Sequence, residues 1–520
     1  MLQYLHQENI LTTSQSGFRQ GDSTIYQLLT IYDDFCSALD KRITTQAIFF
    51  DISKAFDRVW HQGLLHKLDS VGIRGSLLTW IKSYLTNRRQ AVVLKGEISS
   101  YLPVTAGVPQ GSVLGPLLFL IYINDINLNL ESVTKLFADD TRAYLSLEDD
   151  FQRGAILNSD LEKISNWATT WKVKFSTPKT DLLNISRRQE PITNQLRFNG
   201  TEIKSSDSHK HLGIIFQKDC NWNLHINLLI AKCRPLIACL KSYKYRLSRK
   251  SLETMFKSFI LPILDYADVV WDNCAEYQAN ALEELQLDAL RTIVGTVRGT
   301  SHFSLYKEAG FVTLKARRER HKLILYFKYV NNLLPEHLNE KFPRLVSETN
   351  PYSRRRPLER ETIYSRTEHY KNTFFPSTTT LWNDLPDSIK CITSIGAFKR
   401  YLAQNDQVVP PYYYIGDRFP NTIHCRLRLK MSDLNFDLYN RHLTENQSCT
   451  CNADIEDTKH YLLQCPIYKK ERETTIHILP YLAQNCETLL FGNVTFSIHF
   501  NSYIFLTVQE FIKTTGRFKT

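Results

Sequence analysis

Apolar residues run unbroken from 47 to 50 (Ala-Ile-Phe-Phe) and stop at Asp51, the pattern of a strand covered on both faces. Phe56, Val59, Trp60, Leu64, Leu65 and Leu68 then recur at helical spacing until Gly72, which predicts a helix with Phe56 on its first turn. Two further apolar runs, Leu136-Phe137 and Ala143-Tyr144-Leu145, flank Asp139 and Asp140 and predict two short strands joined by a turn. Residues 1–39 look helical with a break around 15–23, and Gly75 opens another helix through Leu85. Residues 91–94 and 101–105 alternate like strands around a turn at Lys95-Gly96. Gly107-Val-Pro-Gln-Gly-Ser112 reads as a loop before an apolar helix over 113–126, with Ser112 able to cap it. Asp149 starts a helix, 171–175 and 181–186 read as strands around Pro178, and 211–216 reads as one strand of a hairpin. From Trp222 to Leu334 helical periods follow one another, so the pattern as a whole is α+β.

With 520 residues the chain is long enough for three or four domains. The net charge of +11 and pI near 9.0 favour a polyanionic partner. Eight basic residues lie between Lys232 and Lys257 against the single acid Glu253, with Tyr243 and Tyr245 interleaved. That mixture suits a nucleic-acid backbone with occasional stacking, and equally an ordinary solvated helix face. Lys315, Arg317, Arg318, Arg320 and Lys322 form a second basic cluster that would extend the same track, and Arg354, Arg355 and Arg356 stand in a polar stretch over 347–373. The eleven cysteines are mostly scattered singly, which argues for a reducing compartment rather than a disulfide framework. Residues 1–10 have no basic start or long apolar core, and the greasiest segment, 117–123, is too short for a bilayer. The expectation is a soluble, intracellular protein with no membrane partner.

Two groups of residues carry candidate chemistry. Adjacent carboxylates at a hairpin tip repel one another, and a hard divalent cation is the simplest compensation; a solvated Asp-Asp turn is the plainer alternative. Asp51, on a rigid strand end, changes that balance, because Asp51, Asp139 and Asp140 together supply ligands for two magnesium ions. Near the C-terminus Cys449, Cys451, His460 and Cys465 follow a Cys-x-Cys-x8-His-x4-Cys pattern. Three thiolates and an imidazole make a closed tetrahedral set for zinc, although the one-residue gap between Cys449 and Cys451 is tighter than usual.

Taken in order, Ser16-Gly-Phe-Arg-Gln-Gly-Asp-Ser-Thr24, FFDISKAFDRVWHQGLLHKL from Phe49, Gly107-Val-Pro-Gln-Gly-Ser-Val-Leu-Gly-Pro116, Phe137-Ala-Asp-Asp140, Lys179 in FSTPKTDLLNIS, His211-Leu-Gly-Ile-Ile215 and Leu381-Trp-Asn-Asp-Leu-Pro386 resemble the reverse transcriptase of a non-LTR retrotransposon of the jockey and chicken-repeat type. The resemblance covers nearly the whole chain. It implies a right-hand polymerase: partial fingers over 1–44, a palm with inserted fingers elements over 45–221, a helical thumb over 222–346, a basic linker over 347–375 and a C-terminal region over 376–520 with the zinc module. The implied activity is RNA-directed DNA polymerisation, extending a DNA primer on an RNA template from deoxynucleoside triphosphates.

By the same resemblance Asp51, Asp139 and Asp140 hold the two magnesium ions with the backbone carbonyl of Ile52. Arg19 contacts the incoming triphosphate or the template. Phe56 sits beneath the incoming sugar and excludes a 2′ hydroxyl. Gln110 and Gly111 position the template base and nucleotide, Lys179 donates a proton to pyrophosphate, and the hairpin at His211 grips the primer. The family usually carries Asn before that lysine, whereas Ser176 and Thr177 stand near it here. Asp57 and His61 read as helix-capping or structural residues. The family's earlier fingers block and upstream endonuclease do not precede Met1, so a truncated element protein is expected. Its partners would be template RNA, target DNA and a separate element-encoded RNA-binding protein, in cytoplasmic ribonucleoprotein and the nucleus. A decayed or adopted remnant that binds nucleic acid without polymerising is the alternative, and a transposase-like nuclease with a carboxylate triad is a more distant one.

Overall fold

The computed structural model describes residues 1–188, 194–349 and 358–518; Arg354, Arg355 and Arg356 lie outside the described residues. The chain mixes helices and strands in two compact units. One unit comprises Met1–His225, Val269–Cys274 and His321–Ile395, and the other Ile226–Asp268, Ala275–Arg320 and Gly396–Thr520. The successive helices expected over 222–346 are present and are shared between the two. Among the described residues, no helix is long and apolar enough to cross a membrane.

The first unit opens with α1 (Leu2–Gln7) and α2 (Thr24–Asp40) around the anticipated break, and Ser23 caps α2 by accepting from the Tyr26 N–H. Next come β1 (Thr44–Phe50), α3 (His61–Ser70) and α4 (Gly75–Leu85). An exposed ribbon follows, in which β2 (Arg89–Gln90) pairs with β5 (Leu102–Pro103) and β3 (Val93–Leu94) with β4 (Glu97–Ile98). Then come α5 (Leu114–Ile123), β6 (Val133–Phe137), β7 (Asp140–Leu147), α6 (Asp150–Thr170) and β8 (Asp181–Ile185). Short strands β9 (Arg197–Phe198), β10 (Thr201–Glu202) and β11 (Ser205–Ser206) lead to the hairpin of β12 (Ser208–His211) and β13 (Ile214–Gln217). The central sheet has the order β11-β8-β1-β7-β6.

β1 sits in the middle of that sheet, antiparallel to β7 and β8, and all seven of its residues are buried. This is the burial the unbroken apolar run requires. Leu118, Leu120, Leu157, Leu161, Ile164 and Leu68 belong to the core that holds Ile48 and Phe50 of β1. The core thus fixes the strand that ends at Asp51.

Three expectations about local structure change. The helix predicted from Phe56 begins at His61 instead, after a single 3-10 turn over Phe56–Arg58 and two extended residues, Val59 and Trp60. The reason is a competitor for the carbonyls: Val108 N–H donates to Phe56 O at 2.9 Å and Gly107 N–H to Val59 O at 2.8 Å. Residues 171–175 do not form a strand; Phe175 makes one isolated bridge with Ile52, while Ser53 N–H donates to Lys174 O and Ser176 N–H to Asp51 O. The His211 block is both strands of a hairpin rather than one, because Leu212 and Gly213 take positive φ (43° and 87°) and form its turn.

In the second unit the apolar core gathers around Leu427, Tyr461, Leu489, Ile504, Val508 and Phe511. Glu308 lies buried between Arg249 and Arg428, which donate to it at 2.7 Å each. Burial alone would raise the Glu308 carboxyl, but Arg428 and Arg249 hold it below its ordinary range.

Candidate functional site

The register of β1 against β7 pairs Phe50 with Thr141, so the next residues along, Asp51 and Asp140, stand side by side at the same end of the sheet. In the β6–β7 hairpin Phe137 pairs with Asp140, which leaves Ala138 and Asp139 as the turn. Ala138 takes φ of 54°, which costs a residue with a Cβ about 1–2 kcal/mol and must be held from outside. Gln15 does this: its buried side-chain oxygen accepts from Ala138 N–H at 2.9 Å and from Gly17 N–H at 2.7 Å. Ser16 N–H and the Gln27 side chain both donate to Leu136 O, and a Cβ on Gly17 would lie 2.3 Å from the Ala138 nitrogen. Gln15 and Gly17 escape a reading based on periodicity, since a loop amide and a contact-forced glycine leave no repeat. The available signal was the Ser16–Thr24 block, which contains Gly17 and begins immediately after Gln15.

The charges at this end of the sheet are uneven. Desolvation first, then the Asp139 carboxylate and further off Asp51, raise the Asp140 carboxyl above its ordinary range, with Arg142 acting against them. Lys179 lies 3.4 Å from Asp51 on a short turn over Thr177–Lys179. Arg142, two residues after Asp140, is fully buried, and its guanidinium nitrogens have no hydrogen-bond partner among the described residues. Burial pulls Arg142 down to about 9, with Tyr144 and Asp140 acting in the other direction. Oxygen donors in mutual repulsion on a rigid sheet, with one lysine as countercharge, fit hard cations.

The other predicted residues fall on the elements around these carboxylates. Ile52 is buried beside Asp51. Phe56 is half-buried, stacked on Phe119 with centroids 4.7 Å apart and edge-on to Phe18 at 6.2 Å. Arg19 sits in the 15–23 break and donates to Thr12 O at 2.9 Å. Gln110 donates to the Asp57 carboxylate at 2.9 Å, and His61 Nε2 donates to Gly107 O at 2.8 Å. Asp57 and His61 are therefore the bolts between the block after Asp51 and the Gly107 loop. Gly111 takes φ of 76° with open space around it. Gly107, by contrast, is a glycine because a Cβ there would lie 2.7 Å from Asp57 O, so its close approach is to the chain itself and not to a ligand.

Residues 1–216 match the family model of reverse transcriptase (RNA-dependent DNA polymerase). This part of the chain is similar to reverse transcriptases. The chain is 26% identical over 368 residues to the probable RNA-directed DNA polymerase from transposon X-element of Drosophila melanogaster, covering 67% of this chain and 40% of that one. It is 31% identical over 299 residues to the RNA-directed DNA polymerase from mobile element jockey of Drosophila funebris, covering 54% of this chain and 32% of the relative. The chain thus spans at most about two fifths of the curated relatives it matches. Among solved structures it is similar to telomerase from Candida albicans in complex with a fragment of telomeric RNA, with a TM-score of 0.34 and 13% identity, covering 58% of this chain and 56% of that one.

Beyond the residues matched by that family model, the second unit brings the predicted Cys-His residues together. The ligand atoms of Cys449, Cys451, His460 and Cys465 all lie within 4.8 Å of one another and could hold a metal ion. Cys449 and Cys465 sulfurs are 3.8 Å apart, and Cys451 Sγ is 3.3 Å from His460 Nε2. Bonds of about 2.3 Å at tetrahedral angles put two sulfurs about 3.8 Å apart, so the spacing fits. The tight Cys-x-Cys gap is accommodated by a turn in which Cys449 N–H donates to Ala453 O and Asn452 takes φ of 70°. Cys465 N–H donates to His460 O across a five-residue π turn, which carries both ligands to one side. Buried Arg472 donates to Leu462 O and Cys465 O, and the Asp457 carboxylate accepts from His460 N–H. Burial, then the adjacent thiols, push Cys465 up to about 12, a cost that a bound cation would offset.

The basic clusters divide differently from their sequence grouping. Arg317 is paired with Asp265, Arg320 with Asp406 and Lys322 with Asp272, and Arg318 is buried. The second cluster is thus largely spent inside the protein and does not form a free track. In the first, Arg249 is buried on Glu308, Lys257 pairs with Glu253 and Lys241 with Asp288. Lys232, Arg234, Arg246 and Lys250 are exposed.

Proposed function

We propose that this chain is the polymerase portion of a non-LTR retrotransposon protein, an RNA-directed DNA polymerase of right-hand architecture that extends a DNA primer on an RNA template. The observation that carries this reading is the strand register that sets Asp51 beside Asp139-Asp140, within a domain of the reverse transcriptase family. Asp51, Asp139 and Asp140, with the carbonyl of Ile52, would hold two magnesium ions, whose charge would favour ionisation of the primer 3′ hydroxyl and offset that of the leaving pyrophosphate.

The chain's own residues do the remainder. Lys179, 3.4 Å from Asp51, would donate a proton from its ammonium to pyrophosphate as general acid. The ring of Phe56, backed by Phe119, fills the space a ribose 2′ hydroxyl would need. Gln110 and Gly111 present the template base, Arg19 pairs with the triphosphate or template, and the β12–β13 hairpin supports the primer. In the C-terminal region Cys449, Cys451, His460 and Cys465 would hold zinc and so stabilise a small module for template RNA or target DNA. Deoxynucleoside triphosphates and a separate RNA-binding protein are the further partners, in cytoplasmic ribonucleoprotein and the nucleus.

The test is primer extension on an RNA template with the purified full chain. Asp139→Asn should lower incorporation by more than a thousandfold while template affinity stays within threefold. Equal incorporation by variant and parent would overturn the carboxylate assignment, and binding without incorporation by the parent would mark the chain as a remnant.

A further inference from the structure

Within the second unit a cavity of about 310 Å3 lies where the end of the helix over Asn223–Ser242 and the loop after it, the end of the helix over Glu276–Val294, and the helix over Arg418–Arg428 meet. Its wall carries Lys241, Lys244, Arg291, Arg298, Arg418 and Arg426 against one acid, Asp288, which is already paired with Lys241. Cations at a helix C-terminus are ordinary, and here the carbonyls at that end do take some of them. Arg418 donates to Lys244 O at 2.7 Å, Ile293 O at 2.8 Å and Thr292 O at 2.7 Å, and Arg426 donates to Gly295 O at 2.9 Å.

Carbonyl dipoles orient a guanidinium without cancelling its charge. Of the six cations, Lys241 is paired with Asp288, Arg291 lies 3.7 Å from Glu284 and Arg426 lies 3.6 Å from Asp433, which leaves Lys244, Arg298 and Arg418 without an acidic partner among the described residues. Arg418, held by three carbonyls, is therefore a fixed positive charge on the inner wall. Arg291 faces the same space with a buried Nε that has no hydrogen-bond partner among the described residues. At the mouth stand Lys244 and the exposed Arg298, and the ring of Tyr245, exposed, lies under the Lys244 ammonium at 4.5 Å. A fixed guanidinium inside, cations at the rim and an exposed aromatic ring suit a nucleotide backbone with a stacking base.

We propose that this cavity binds a single strand of nucleic acid, its phosphates on Arg291, Arg298, Arg418 and Lys244 and a base on Tyr245, as a site separate from the carboxylates of the reverse transcriptase domain. It does not depend on polymerisation, so it is measured without magnesium or nucleotides. Fluorescence anisotropy of a labelled 20-nucleotide RNA, repeated with DNA of the same sequence, would be recorded for the full chain across a salt series. The double variant Lys244→Glu, Arg298→Glu changes only rim residues. It should weaken both probes at least tenfold and lower the salt slope by about 1.4, at about 0.7 per phosphate contact.

The control is Lys399→Glu, Arg400→Glu, two exposed residues away from the cavity with the same change in net charge. It should cost less than threefold. Equal loss in both double variants would reduce the effect to overall charge, and an unchanged affinity and slope in the rim variant would leave no role for the cavity; either result overturns the site. Tyr245→Ala should lose about tenfold with the slope unaltered, and a loss that scales with salt would remove stacking from the account. Primer extension on a short paired template that stays intact in the rim variant separates this outcome from failure of the polymerase reading.

Discussion

The carboxylate group and the Cys-His group are both candidate metal centres, and they are built in opposite ways. Asp51 at the end of β1 and Asp139 and Asp140 on the β6–β7 hairpin, far apart in the chain, are aligned by sheet register, by Gln15 from the first loop and by the bolts from Asp57 and His61 to the Gly107 loop. Cys449, Cys451, His460 and Cys465 come from one stretch of the chain, folded by one tight turn and one π turn. The first is oxygen-rich and partly exposed, as a site must be if substrate is to reach the ion; the second is closed by four protein ligands. A centre that does chemistry draws its shape from distant parts of the fold, whereas one that only stabilises can be assembled locally and depends on its ion for shape.

Removing a ligand from the local centre should have the larger effect on folding. Cys465→Ser should abolish stoichiometric zinc by mass spectrometry and cost on the order of 5 kcal/mol or more, because binding energy at such a centre is folding energy. A parent chain without stoichiometric zinc, melting identically in chelator, would break the comparison at this end.

A smaller loss is expected at the distributed centre. Gln15→Ala leaves the buried N–H groups of Gly17 and Ala138 without their acceptor, at about 1–3 kcal/mol each, and loosens the turn that carries Asp139. Incorporation should fall at least tenfold with a modest drop in melting temperature. A variant that melts early yet incorporates normally would show that the turn keeps its shape unaided.

The smallest effect concerns pH. Burial, then Lys135 and Arg19, pull His337 down to about 4 in the first unit. Between that value and its ordinary value near 6.5 the unfolded chain holds the proton and the folded chain does not, so stability rises with pH through this window. The contribution is fully present above pH 6.5 and is lost as pH falls to about 4, at most about 3 kcal/mol in all. Thermal melts from pH 4 to 7.5 should show the slope, and His337→Gln should flatten it; a parallel slope in the variant would assign it elsewhere.

Much of this was legible from residue order. The run from Ala47 to Phe50 specified a buried strand, and its abrupt end at Asp51 marked the carboxylate; the Cys-His spacing marked the second centre. Where periodicity misled, a tertiary partner intervened. The helical period beginning at Phe56 is real, but Val108 and Gly107 claim the carbonyls of Phe56 and Val59, and the helix waits until His61. Lys315 to Lys322 look like a nucleic-acid track, yet their acids lie up to 86 residues away and the sequence gives no sign of the pairing. The basic cavity escaped for the same reason, since Arg418 and Arg426 join Lys244 only through the fold.

The contact between His61 and Gly107 ties together the two ends of the segment that contains α3, α4 and the exposed ribbon. A segment whose feet are fastened side by side can change length at its tip without moving the floor it stands on. Lengthening or trimming the ribbon of β2 to β5 then alters mainly loop-closure entropy, about 0.6 kcal/mol for each doubling. The ribbon is accordingly the part of this domain most open to insertion, a place where new binding surface can be grafted while the carboxylates keep their alignment.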